Sequence, residues 1–125
     1  MYSDIVKDHF SNPRNVGILS APDAKGTAHN EADGDCVQLH LQIQGEIIQD
    51  VKMKVMGCVA AIAAASMLTV MIRGQSLTYA YHLKKSDLVT ELAGLPEQKI
   101  RCSLTCLDAL KSALKDYHKA GQDDV

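Results

Sequence analysis

Val37-Gln38-Leu39-His40-Leu41-Gln42-Ile43-Gln44 decides the fold. Its apolar and polar residues alternate strictly, the period-2 signature of a strand with one face on a core. Gly45-Glu46 follows as a turn. Beyond it Val51, Met53 and Val55 point one way, and Asp50, Lys52 and Lys54 the other. The two runs therefore form a hairpin. Upstream, Gly26 to Asn30 reads as a third strand, joined to the hairpin by the turn Asp33-Gly34-Asp35.

Downstream the pattern changes. Val55 to Ile72 carries no charge over 18 residues, at the lower length limit of a membrane span. Its alanines, with Gly57, Cys58, Ser66 and Thr69, dilute it, so it reads as a buried helix against the sheet. Gly74 stops that helix. Ser76 and Ser86 read as N-caps of two short helices, and Gly94 ends the second. Leu95-Pro96 punctuates. A last helix from near Arg101 to Lys119 shows one apolar stripe: Leu107, Leu110, Leu114 and Tyr117. At the other end, Ser3 caps a helix reaching about Ser11, with Ile5, Val6 and Phe10 apolar. Asn12-Pro13 stops it, and an extended loop runs to Lys25. The order predicts an α+β fold: an N-terminal helix, a three-stranded antiparallel meander, and helices packed on one face of the sheet.

The chain has 125 residues, enough for one domain over residues 1–125. Net charge is −2, with signs interspersed, which excludes an electrostatic footprint for nucleic acid. The beginning, Met1-Tyr2-Ser3-Asp4, has no secretory pattern. A cytoplasmic, membrane-free protein with reduced thiols is expected.

Four cysteines stand at 36, 58, 102 and 106. Cys36 follows Asp33 and Asp35 where a loop enters a strand. Cys58 lies where a strand leaves for a helix. Cys102 opens the last helix, with Cys106 one turn on. Thiolates suit zinc and iron–sulfur clusters, and carboxylates are harder donors. Helix N-termini favour the thiolate, which makes Cys58 and Cys102 candidate nucleophiles. Spacing alone also allows each cysteine to be a small buried hydrophobe. The five histidines share no ligand spacing and read as surface or half-buried. The methionines at 53, 56, 67 and 71 read as core.

Several motifs resemble the IscU/NifU family of iron–sulfur cluster assembly scaffolds. They are Tyr2-Ser3 with His9-Phe10; Asn12-Pro13-Arg14-Asn15-Val16-Gly17; Gly57-Cys58-Val59-Ala60-Ala61-Ile62-Ala63 with Ser66; and Leu95-Pro96-Glu97-Gln98-Lys99-Ile100-Arg101-Cys102-Ser103 with Asp108-Ala109. The resemblance implies a scaffold or carrier without turnover of its own. Such a protein accepts iron and sulfur, holds a transient [2Fe–2S] cluster, or zinc in its place, and passes the cluster to apo iron–sulfur proteins. It implies a cysteine desulfurase as sulfur donor and an Hsp70-type chaperone as partner. Cys58 matches the second family cysteine. Cys102 matches the third, the sulfur acceptor, and Asp35 matches the aspartate that keeps the cluster labile. Leu95, Pro96 and Lys99 match the chaperone segment, although Glu97-Gln98 departs from it.

Two departures touch the ligands: Asp33 stands where the family has its first cysteine, and Arg101 where it has a histidine. One reading has Cys36 replace the lost thiolate, giving a metal set of Asp35, Cys36, Cys58 and Cys102. Adjacent strand residues face opposite ways, so this needs a bulge. The other has Asp33 pair with Arg101 and close the site. The chain would then be a degenerate paralogue that binds zinc or no metal and acts as a regulatory module. Oligomeric state is left open by the sequence.

Overall fold

A computed structural model describes residues 2–123, and the side chains only as far as His118. Helix α1 spans Asp4–Ser11, and three strands follow: β1 (Ala24–Asn30), β2 (Asp35–Gln44) and β3 (Ile47–Met56). They form one antiparallel sheet in the order β1-β2-β3. Helices α2 (Val59–Ile72), α3 (Leu77–Tyr81), α4 (Lys85–Glu91) and α5 (Ile100–Asp123) complete the chain, with a 3₁₀ turn at Glu97–Lys99 before α5.

The period-2 reading of the hairpin holds. Val37, Leu39, Leu41, Ile43, Val51 and Met53 are all buried in one core with α2 and α5. Gly45 and Glu46 both take positive φ, the primed geometry that suits the twist of a tight hairpin. Strand β1 begins two residues before Gly26, at Ala24. Helix α5 lies so close to β1 that a Cβ on Gly26 would collide with the backbone of Ala109 and Ala113. The loop after α1 is not free. Met53 N–H donates to Asn15 O (2.8 Å) and Gly17 N–H donates to Met53 O (2.9 Å), which covers the open edge of β3.

Helix α2 is buried on nearly every side, and its small alanines let neighbours approach closely. No helix among the described residues is long and apolar enough to cross a membrane. Ser66 on α2 ties α1 and its loop to the core. Its hydroxyl accepts from Arg14 N–H (2.9 Å) and lies 2.8 Å from His9 Nδ1.

Several sequence expectations need correction. The inward face of α1 is Val6 and His9, while Ile5 and Phe10 are exposed. His9 and His40 are buried, not surface residues. His40 sits under the loop and accepts from Leu19 N–H at Nδ1. Met56 is 72% exposed, because at the end of β3 it faces away from the helices. Ser3 and Ser76 do cap their helices. Ser86 does not: α4 starts after Lys84, whose N–H donates to Asp87 two residues into the helix beyond Lys85. That carboxylate supplies the terminus with its hydrogen bond, so a serine cap is unnecessary.

Gly26→Ala should lower the unfolding free energy by roughly 1–3 kcal/mol, the usual cost of overpacking. Urea denaturation measures it, and a variant as stable as the parent would mean that α5 does not approach β1 this closely. Ser66→Ala should cost about 1–3 kcal/mol by stranding the Arg14 N–H and the His9 ring. The same titration reads it.

Candidate metal centre

Three element ends meet at one place: the start of β2, the start of α2 and the start of α5. Asp35 is the first residue of β2, Cys58 the N-cap of α2, and Cys102 lies in the first turn of α5. Gly57 makes the meeting possible, since a Cβ there would strike the Asp35 carboxylate. Asp35 Oδ1 accepts from Cys58 N–H at 3.0 Å. Asp35 Oδ2 lies 3.2 Å from Cys102 Sγ and 3.7 Å from Cys58 Sγ. The two sulfurs are 3.5 Å apart. These three residues form one group whose donor atoms all lie within 4.8 Å of one another.

The geometry fits a small tetrahedral ion. Two sulfurs bound at about 2.3 Å to such an ion stand roughly 3.8 Å apart, close to the spacing found. Two soft thiols and one carboxylate suit zinc or an iron–sulfur cluster. The N-terminal ends of α2 and α5 both face the group, and their dipoles favour the negative charge that such ligands carry.

Burial sets the state of the thiols. Cys102 is 0% exposed and Asp35 2%, while Cys58 is half-buried. Burial pushes the Cys102 thiol well above its ordinary range, and its hydrogen bonds to Asp35 and Cys58 push the same way. The expected thiolate at this helix start is thus overridden: desolvation beside a carboxylate outweighs the dipole. Cys102 is held as a thiol that donates to Asp35 until a cation displaces its proton.

Cys36 is not brought into the group. The register shift in the hairpin lies at Gln42/Ile43, so nothing redirects the pleat at Asp35-Cys36. Asp35 therefore turns inward, and Cys36 joins Thr27, Gln38, Lys54 and Met56 around a shallow pocket on the outer face. Replacement of the lost thiolate by Cys36 is not met, for the reason that adjacent strand residues oppose each other. Cys106 is wholly buried in the core, with Sγ 3.7 Å from Ala61 O. Burial pushes its thiol up as well.

The pair of Asp33 with Arg101 is present. Arg101 Nε donates to Asp33 Oδ2 (2.5 Å) and Nη2 to Oδ1 (3.1 Å), a fork on a carboxylate. Lys99 Nζ donates to Asp33 Oδ1 at 3.3 Å and Asn30 Nδ2 to Oδ2 at 2.8 Å. Arg101, with Lys99 and Asn30 behind it, holds the Asp33 carboxyl far below the usual carboxylate range. Asp33 Oδ2 is 3.8 Å from Cys102 Sγ, beside the three donors and not among them. Leu95 and Pro96 are half-buried, and Leu95 packs on the small cluster of Ala60, Ala61 and Cys102 together with Tyr2 and Val55. Asn30, Tyr2 and Gly57 were not singled out for the site from the sequence. The φ and the missing Cβ of Gly57 are a signal available only once Asp35 is known to pack on it.

The NifU-like N terminal domain family model matches residues 1–123. An iron-sulfur cluster assembly scaffold protein IscU from Azotobacter vinelandii is 43% identical over 125 residues, covering 96% of this chain and 97% of the relative. One of the same name from Aquifex aeolicus is 43% identical over 118 residues, covering 93% of this chain and 75% of the relative. Among solved structures, a NifU-like N-terminal protein from Brucella abortus superposes with a TM-score of 0.77 at 18% identity, over 94% of both chains, and so supports the fold. Fold, the converging aspartate and cysteines, and the match along nearly all its length together place this chain in the NifU-like N-terminal domain family.

Proposed function

We propose that this chain is an iron–sulfur cluster assembly scaffold: it takes up iron and sulfur, holds a transient [2Fe–2S] cluster as cargo, and hands it to apo-proteins without turnover of its own. The observation that carries this is the convergence of Asp35, Cys58 and Cys102 at the junction of β2, α2 and α5. Cys58 and Cys102 supply soft thiolates. Asp35 supplies a harder oxygen, which binds such cargo less firmly and favours its release. The helix N-termini offset the anionic charge of the loaded site.

Cys102 is the proposed sulfur acceptor from a desulfurase persulfide. The S–S bond of the donor breaks, a new S–S bond forms on Cys102 Sγ, and the Cys102 proton leaves on the donor thiol. Half-buried Cys58 offers the accessible side of the pair. Leu95, Pro96 and Lys99 form the proposed docking strip for an Hsp70-type chaperone. Their support is position, since Leu95 packs beside Cys102 and the strip leads straight into α5. Zinc is proposed to occupy the same three donors when no cluster is present. A cytoplasmic setting would keep the four unpaired cysteines reduced. The Asp33–Arg101 pair does not by itself turn the chain into a metal-free module, because it stands next to the donor group and takes none of its atoms.

Anaerobic incubation with ferric iron and sulfide should produce cluster absorption bands in the parent and in Cys36→Ser and Cys106→Ser, and none in Cys58→Ser or Cys102→Ser. A folded parent protein that develops no band, and carries no zinc on metal analysis, would sink the scaffold reading.

Iodoacetamide labelling, followed peptide by peptide by mass spectrometry, should reach Cys36 and Cys58 well before Cys102 and Cys106 in the native protein. Added zinc should protect Cys58 and leave Cys36 reactive. Protection of Cys36 would restore it as a ligand.

A further inference from the structure

Asp33 carries a carboxylate to the edge of the donor group, 3.8 Å from Cys102 Sγ, yet three side chains hold it away from that group. Its side chain is only 6% exposed, so these partners, rather than water, decide where the carboxylate sits. Both of its oxygens are engaged: Oδ1 by Arg101 Nη2 and Lys99, Oδ2 by Arg101 Nε and Asn30. A carboxylate gripped by two cations is a poor metal donor, since its lone pairs and its charge are already used. The holding residues are more exposed. Arg101 is 51% and Lys99 26% exposed at the side chain.

We infer that Arg101 and Lys99 are positioning residues that latch Asp33 out of the coordination sphere, so that the closed site offers three protein donors and the open site four. This rests on the metal-centre reading given above. It goes beyond it by assigning a role to Asp33, Arg101 and Lys99, which stand beside the three donors. A site with three donors leaves one corner of a tetrahedral ion, or one corner of a cluster iron, to an outside ligand. Cargo is then held by fewer protein bonds. Release of Asp33 from Arg101 and Lys99 would place a fourth oxygen donor beside Cys102. Lys99 belongs to the same strip as Leu95 and Pro96, so the latch shares a residue with the proposed docking strip.

Cobalt(II) alone is the probe, because its ligand-field bands report the donor set and its sulfur-to-metal charge transfer reports thiolate binding. Four folded proteins are compared by anaerobic titration: the parent, Asp33→Ala, Lys99→Ala/Arg101→Ala, and the triple variant. Arg101 is exposed and Lys99 partly so, and circular dichroism checks that each variant folds. The expected result is that Asp33→Ala leaves the ligand-field spectrum of the bound parent unchanged but alters that of the latch-free double variant. The double variant should bind cobalt on the order of 10-fold tighter than the parent, the scale of effects from residues that orient ligands. That gain should vanish in the triple variant relative to Asp33→Ala. A parent spectrum that shifts on Asp33→Ala would mean that Asp33 is already a ligand, and the latch is wrong. A gain that persists in the triple variant would reduce the effect to removal of positive charge, and also overturns it. Absence of sulfur-to-cobalt charge transfer in all four proteins would instead overturn the metal-centre reading on which the latch depends.

Discussion

The Asp35 carboxylate, buried between two thiols, is the joint on which both fold and site turn. One oxygen takes the Cys58 N–H, which fixes the angle at which α2 leaves β3. The other faces Cys58 and Cys102 sulfurs, which brings the first turn of α5 onto the same point. Gly57 is the steric condition: its Cα lies against the carboxylate, and a methyl there would drive the two apart. A carboxylate at 2% exposure is costly unless it is hydrogen-bonded. Here the donors are one backbone N–H and two thiols, with two helix N-termini aimed at it. Replacing the two thiol protons by a divalent cation leaves the net charge of the group unchanged and exchanges the S–H···O contacts for bonds to the ion. The arrangement is thus prepared for metal at its own joint, without a separate cavity.

The rest of the structure holds that joint steady. Helix α2 carries alanine where it meets its neighbours, so helix and sheet approach closely and the N-cap at Cys58 cannot drift. Ser66 anchors the other side of α2 by sharing its hydroxyl between Arg14 N–H and His9. The loop from Asn15 to Gly17 pairs with Met53 and closes the edge of β3. Each contact lies away from the donors but restrains one of the elements that present them.

What was legible in the sequence followed from short-range rules. Alternation exposed the hairpin at Val37–Ile43, and an uncharged alanine-rich run exposed α2. Motif order singled out Asp35, Cys58 and Cys102. The orientation of Cys36 was also implicit, because strand alternation sets it against Asp35. What required the structure were competitions between effects. A helix start favours a thiolate at Cys102, but burial beside Asp35 wins. Ser86 is a good cap in isolation, but Asp87 reaches back to Lys84 and shifts the start of α4. Polar His9 and His40 are buried because Ser66 and Leu19 N–H each offer a partner from a distant segment. Asn30 acts through an orientation that no spacing reveals.

Asp33 and Arg101 act as one unit. An aspartate at position 33 without Arg101 would set a second carboxylate beside Asp35 and two thiols, and the repulsion would raise pKa values or push the turn outward. An arginine at 101 without Asp33 would set a fixed cation against the donors and oppose metal directly. Together they cancel, and the fork geometry makes the cancellation local. The pair therefore adds little net charge at the rim of the site. What remains is a centre with two sulfurs at its core and a carboxylate held in waiting at its edge. On the latch proposal, its grip on cargo follows the strength of the ion pair at that edge as well as the ligands beneath it.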